Sequence, residues 1–169
     1  PGAGKTHEIK LLMKSHADNK VLKGLMLVLT SSRNAAESLN EYWESDIRNK
    51  KVVVMTVDSF IFSGGKFSAK DVESVMIDEC YMSHAGLCIL IAAITNPSSL
   101  SFYGDRRQVP FINRNPVFRD TMSMLKTSAG QYTEKLLTFR CPADICYWMS
   151  TVDYLKPGGR LYSGKVTTV

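Results

Sequence analysis

"VESVMIDECYMSHAG", residues 72–86, is an apolar run that ends in two adjacent acids and passes into a helical pattern. A run without polar alternation is how a strand buried on both faces reads. Two similar runs lie upstream, "LMLVLT" (25–30) and "KVVVMTV" (51–57), and one lies downstream, "SLSFYGD" (99–105). Each finishes at or beside polar or acidic residues, and helical patterns separate them. Strand–helix repetition of this kind predicts an α/β fold, a mainly parallel sheet sandwiched by helices. Such sheets bind ligands at the carboxyl ends of their strands. Thr30, Ser31, Thr56, Asp78, Glu79, Asp105 and Gln108 all fall there.

The spacing predicts a helix from Glu8 to Ala17 and another in "SSRNAAESLNEYWESDI", where Ala36, Leu39 and Trp43 share a face. "SHAGLCILIAAIT" reads as a third. Gly64–Gly65 and Asn96–Pro97–Ser98 are turn signals. Beyond Phe111 a loop, a short helix from about Pro116 to Lys126 and a stop at Gly130 are expected. "YTEKLLTF" is strand-like and "CPADICYWMS" helix-like, with Pro142 in its first turn. A turn-rich stretch, "LKPGGRLYSG", follows, and a domain boundary is expected near Thr138.

"PGAGKT" (1–6) is the second half of the phosphate-binding pattern G-x-x-x-x-G-K-[ST]. The pattern's first glycine and the strand that launches the loop would precede Pro1, so the chain is expected to be an interior piece of a longer protein. Glycines let successive N–H groups point at phosphate oxygens without a Cβ clash. The helix that follows adds the positive end of its dipole. Gly2, Ala3, Gly4, Lys5 and Thr6 are therefore candidate nucleotide-binding residues. Lys5 would neutralise the β and γ phosphates, and the Thr6 hydroxyl would ligate Mg²⁺. The bland alternative is a glycine-rich turn before a helix.

Downstream of such a loop the two acids take separate tasks. Asp78 would hold Mg²⁺, and Glu79 would accept a proton from attacking water. Side chains alternate along a strand, which aims the two in different directions. Solvated carboxylates closing a strand are common, and the loop upstream is what favours the chemistry. Gln108 could bond a γ-phosphate or position water. Arg106 and Arg107 suit either phosphate-backbone contacts or a solvated loop.

A length of 169 residues holds one domain, or one with the beginning of a second. Apolar content of 44% suffices for a core, and a net charge of +5 leans towards a polyanionic partner. Cys80, Cys88, Cys141 and Cys146 make no C-x-x-C pair, so reduced thiols are expected. His7, His16 and His84 are scattered rather than spaced as metal ligands. Trp43 and Trp148 are expected to pack in the core or at a domain edge. Phe102, Tyr103 and Phe111, which flank the Gln108 loop, read as core, with the alternative that one of them lines the nucleotide or RNA path. No apolar run has the length of a membrane span.

Six stretches in order, "PGAGKT", "LTSSRNAAESL", "MTVDSFIFSGG", "VMIDECYMSHAG", "YGDRRQVPFINR" and "LLTFRCPADIC", resemble the motifs of superfamily 1 helicases. The likeness is to the helicase part of alphavirus-like replication polyproteins, and to the plant tobamovirus-like branch most of all. It runs from Pro1 to about Ser150. It implies two RecA-like domains with NTP between them and single-stranded RNA across their tops. Residues 1–137 would be the first domain, without its first strand, and 138–169 the start of the second. On this resemblance Lys5, Glu79, Gln108 and Arg140 are catalytic, Thr6 and Asp78 hold Mg²⁺, and ATP or another NTP is the nucleotide. Arg140 in "TFRCP" would reach the γ-phosphate as an arginine finger. Thr30, Ser31, Arg33, Thr56 and Ser59 would meet RNA. Methyltransferase and polymerase domains are implied partners, at membrane-associated replication complexes in the host cytoplasm.

Cys80 departs from the family pattern, standing where relatives often carry alanine; a small buried thiol should pack there without altering the chemistry. Without the later arginine motif of a full second domain, the piece alone is expected to be weak or inactive. Two other activities fit the same residues: an RNA 5′-triphosphatase at the same site, and a non-catalytic scaffold that binds nucleotide or RNA. A small-molecule kinase would leave "GDRRQVPFINR" and "TFRCP" without a task.

Overall fold

Four strands, β1 (Leu25–Thr30), β2 (Val52–Thr56), β3 (Val72–Ile77) and β4 (Ser99–Phe102), form one all-parallel sheet in the order β2-β1-β3-β4. The computed structural model of the protein describes residues 2–44, 51–63, 67, 70–108, 111–112, 130–151 and 159–164. Parallel neighbours need a crossover between them. The helices α2 (Arg33–Glu44), α3 (Val57–Phe62) and α4 (Ala85–Thr95) lie in those crossovers, and α1 (Lys5–Asp18) precedes β1. Thr30 sits opposite Thr56, Leu29 opposite Ile77, and Ile77 opposite Phe102. That register brings the polar strand ends to one edge of the sheet.

The runs of β1, β2 and β3 lack regular polar alternation because both faces of the sheet are covered there. At the sheet's edge β4 alternates, Leu100 and Phe102 packing against one core and Ser99 and Ser101 interleaved with them. On one face Leu27, Leu29, Val75 and Ile77 pack with Val57 and Phe60 of α3 and with Cys88 and Ile91 of α4. On the other, Met26, Val28, Val52, Val54 and Met76 pack with Ile9 and Met13 of α1 and with Ala36 and Leu39 of α2. The period-2 alternation of strand side chains thus feeds two cores from one strand. Each such side chain contributes about 1.5–3 kcal/mol on burial. Trp43 packs against the second core, as expected.

Polar bonds tie the opposite edge of the sheet. His16, buried in the last turn of α1, lies 3.0 Å from the Gly24 carbonyl through Nε2 and 3.4 Å from Ser74 Oγ through Nδ1. Lys51 Nζ donates to the carbonyls of Asn19 (2.9 Å) and Leu22 (2.8 Å), which holds the turn between α1 and β1.

The chain divides into two compact units, Thr6–Leu125 and Pro1–Lys5 with Lys126–Val169. The smaller contains β5 (Leu137–Thr138) and β6 (Tyr162–Ser163), paired in parallel, and α5 (Ala143–Thr151). Thr138, the expected boundary, is a β5 residue inside that unit. Ser150 Oγ donates to the Cys146 carbonyl (2.7 Å) and accepts from the Leu161 N–H (3.0 Å), joining α5 to the approach to β6.

Several boundaries differ from the sequence reading. The first helix begins at Lys5, directly at the glycine loop as the phosphate pattern asks, three residues before the apolar spacing becomes legible at Glu8. The second run stops at Thr56, because Thr56 caps α3 and Val57 becomes a core residue of that helix. The strand expected in "YTEKLLTF" shrinks to two residues. Pro142 precedes α5 and offers its carbonyl to the Cys146 N–H (3.0 Å). Trp148 is 60% exposed, so it is not a core residue of the described unit, which leaves the domain-edge expectation standing. The helix expected over 116–126 and the turn at Gly64–Gly65 lie outside the described residues.

Candidate functional site

At the end of β3 the ladder breaks register by one residue. Tyr103 donates its N–H to the Ile77 carbonyl (2.8 Å), and an unbroken parallel ladder would return the next bond from Glu79. The bond to the Tyr103 carbonyl comes instead from Cys80 (2.8 Å). Glu79 is the extra residue, with φ 48° and ψ 45° in the left-handed region. It is a β-bulge, a feature that re-aims side chains at strand ends. Asp78 stays anchored on the other side through its N–H to the Leu29 carbonyl (2.8 Å). Its carboxylate is buried, and Oδ1 accepts the Glu79 N–H at 2.9 Å. The two adjacent acids thereby differ in burial, Asp78 enclosed and Glu79 half-buried.

The Gln108 loop is fastened to this acid turn at both ends. Before it stands the Cys80–Tyr103 bond, and after it Phe111 donates its N–H to the Tyr81 carbonyl (2.8 Å). Gly104 makes the close approach possible: a Cβ there would lie 2.7 Å from Tyr81 Cδ2 and 3.0 Å from Cys80 Sγ. Within the loop, Asp105 accepts the Arg107 N–H (3.1 Å) and the Gln108 Nε2–H (3.0 Å) on its two carboxylate oxygens. Sequence reasoning placed Asp105 at a strand end without giving it a role. An acid two and three residues ahead of the groups it binds is an Asx-turn signal, and it marks Asp105 as the residue that orients Gln108. The first helical stretch of the acid turn, Cys80–Met82, is a short 3₁₀ piece, and α4 follows it. His84 caps α4, its Nδ1 accepting the Gly86 N–H (3.0 Å), and its ring meets Phe111 edge-on at 5.4 Å.

Tyr103 links this turn to α1. Its hydroxyl is 3.4 Å from Oε1 of Glu8, in the first turn of α1, and its ring packs against the second core. Burial, and then the charge of Asp78, push its phenol above the ordinary value.

The other strand ends place the remaining candidates. Thr30 is fully enclosed, its hydroxyl donating to the Ser32 carbonyl (2.9 Å). Ser31 Oγ is 3.5 Å from Met82 Sδ, and so touches the acid turn. Arg33 opens α2 and is exposed. Thr56 Oγ1 accepts the Ser59 N–H (3.1 Å) and donates to Ser59 Oγ (2.8 Å), capping α3. Of the five, Arg33 and Ser59 are the exposed ones.

In the smaller unit the glycine loop has the backbone its sequence asks for. Gly2 and Gly4 have φ of 67° and 79°, on either side of Ala3 and just before the first residue of α1, Lys5. Left-handed residues at such spacing turn successive N–H groups into a concave anion seat. A helix start leaves its first four N–H groups without intrahelical partners. Gly2 also backs onto β5: its carbonyl accepts the Phe139 N–H (2.9 Å), and a Cβ on it would lie 2.5 Å from Arg140 Cβ. Arg140 is exposed, and its Cβ lies against Gly2 of the loop.

Among the described residues no three or more His, Cys, Asp or Glu side chains gather as a metal cage. Mg²⁺ bound with a nucleotide needs none, since phosphates and water fill most of its shell. One buried, oriented carboxylate at Asp78 and an exposed hydroxyl at Thr6 fit that demand.

Residues 1–156 match the model of the viral superfamily 1 RNA helicase core domain, and the chain belongs to that family. Over 153 residues, 90% of this chain and 13% of the relative, it is 33% identical to replication protein 1a of Alfalfa mosaic virus. It is 31% identical over 169 residues to replicase polyprotein 1a of Lettuce infectious yellows virus, covering 100% of this chain and 9% of that protein. It is also 31% identical over 152 residues to the replicase large subunit of Tobacco mosaic virus strain OM, 89% of this chain and 9% of the relative. The expected kinship with alphavirus-like replication proteins, tobamoviruses included, therefore holds. The chain spans 9–13% of the length of these relatives.

Proposed function

We propose that the chain is the nucleotide-hydrolysing part of an RNA helicase motor that moves on single-stranded RNA during viral genome replication. The observation that supports the reading is the acid turn after β3, where Asp78 is buried, Glu79 takes a left-handed backbone and the loop carrying Gln108 is bonded to Cys80 and Tyr81. In this reading the loop from Gly2 to Thr6 seats the phosphates of ATP or another NTP. Thr6 and Asp78 hold Mg²⁺, which supplies charge neutralisation at the β and γ phosphates when bound. Glu79 takes the proton from water attacking in line, Gln108 orients that water, and Lys5 and Arg140 stabilise the developing charge. Arg33 and Ser59, exposed at the same edge of the sheet, meet the RNA backbone; Thr30, Ser31 and Thr56 shape the turns that present them. The fold is then the first RecA-like domain of the motor with the beginning of a second, and the other domains of the replication protein are its partners.

The test is RNA-stimulated NTP hydrolysis by the intact protein. Lys5→Ala and Glu79→Gln should each lower turnover by about 10²–10³ or more, the usual cost of one such electrostatic group. Near wild-type turnover in either variant would remove these roles. Nucleotide binding without turnover in the wild type would leave a binding module in place of a motor.

A further inference from the structure

We propose that Tyr103 is a positioning residue: its hydroxyl ties the first turn of α1 to the acid turn and so fixes the spacing of Thr6 and Asp78. Three elements meet on this one side chain and its backbone. The backbone N–H and carbonyl bracket the bulge, bonding Ile77 on one side and Cys80 on the other. The ring packs against the second core, the one that α1 and α2 share with the sheet. The hydroxyl reaches Glu8, two residues beyond Thr6 in the same helical turn, at 3.4 Å. A phenylalanine would pack the ring and keep both backbone bonds equally well. The hydroxyl is what packing does not explain, and a half-buried phenol needs a partner. Glu8 is that partner, so the strut joins the helix that opens the phosphate loop to the turn that carries Asp78.

The positional claim rests on the strut alone, and its consequence for metal binding rests on the nucleotide-hydrolase reading above. The test therefore has two arms, both on the intact protein. In the absence of nucleotide, amide hydrogen exchange is compared for wild type, Tyr103→Phe, Glu8→Ala and Glu8→Gln. Tyr103→Phe and Glu8→Ala should raise exchange about 3–10-fold at residues 9–12, whose N–H groups bond the carbonyls of the first turn of α1, and at Glu79 and Cys80, the effect of one lost hydrogen bond. Exchange along Leu27–Leu29 of β1 should not change. Glu8→Gln keeps an acceptor oxygen and should retain protection, and the double variant Tyr103→Phe, Glu8→Ala should be no worse than either single one. In the second arm, Mn²⁺ affinity is read by electron paramagnetic resonance with a non-hydrolysable ATP analogue. Tyr103→Phe and Glu8→Ala should weaken it by about 3–10-fold.

Unchanged exchange in both variants overturns the strut. Raised exchange with unchanged Mn²⁺ affinity overturns its role in spacing the metal ligands. A wild type that binds no Mn²⁺ with the analogue overturns the nucleotide reading and the metal role together, and the exchange arm still decides the strut. If Tyr103→Phe does not fold, Glu8→Ala against Glu8→Gln decides alone.

Discussion

Glu79 holds a left-handed backbone that costs a non-glycine residue about 1–2 kcal/mol. Strain of this kind persists where the surroundings impose it, here the bonds of Asp78 to β1 and of Cys80 to Tyr103. Asparagine tolerates the same region better than glutamate. Glu79→Asn should therefore leave stability unchanged or raise it by up to ~1 kcal/mol while abolishing turnover, the usual opposition between stability and activity. Urea denaturation beside a hydrolysis assay measures both, and a clear loss of stability would mean that the carboxylate supports the fold.

The four cysteines are free thiols, and burial pushes Cys80 up to about 12 and Cys88 up to about 11 from the ordinary 9.0. Below pH 9.0 folded and unfolded chains both keep the Cys88 proton, and its contribution to stability is constant. Between 9.0 and about 11 the unfolded chain releases the proton that the folded chain retains, so stability falls as pH rises. Cys88→Ala should show a shallower fall over that window than the wild type, and equal slopes would refute the linkage. Burial also pushes the Cys146 thiol up, so half-buried Cys141 should be the first thiol alkylated at pH 8 when peptides are mapped by mass spectrometry.

At the scale of elements, α4 shows how local chemistry and packing divide the work. His84 starts it and Asn96, at φ 40°, stops it with its N–H on the Ala92 carbonyl. Glycine or asparagine suits such a left-handed cap, and a residue with an ordinary Cβ does not. Asn96→Ala should cost about 1 kcal/mol and Asn96→Gly little or nothing, read from thermal midpoints. Equal losses would mean that the Asn96 side chain, not its backbone, holds the stop. The stop was visible beforehand, as the turn signal Asn96–Pro97–Ser98; the start was not, since the helical reading began at Ser83 and gave His84 no capping role. The first turn of α1 was legible from the glycine loop, which calls for a helix directly after it, while the apolar spacing shows only from Glu8; the left-handed angles of Gly2 and Gly4 show how the chain enters the helix at Lys5. Val57 was also hidden. It continues an apolar run by composition, yet the Thr56 cap starts a helix there.

For the whole molecule, the alignment of four parallel strand ends gathers an exposed Arg33 and Ser59 and the acid turn onto one edge of the larger unit. If that edge holds RNA through phosphates, binding to the intact protein should weaken linearly in log affinity with log salt. Arg33→Ala should flatten the slope by about 0.7, the value of one phosphate contact on a single strand. An unchanged slope would take Arg33 off the RNA path.

The sequence by itself determined the repetition of strand and helix and a mainly parallel sheet, and it marked the acids, the glycine loop and Gln108 as candidates; that every pair is parallel came from the structure. Apolar periodicity and glycine placement are local properties, legible without a fold. Only the tertiary structure decided that Glu79 is a bulged residue, that Asp105 holds Gln108 and that Thr30 faces inward. It alone joined Tyr103 to Glu8, 95 positions apart. Those features arise where β3, β4 and α1 meet, and contacts between segments far apart in sequence leave no period for a local pattern to reveal.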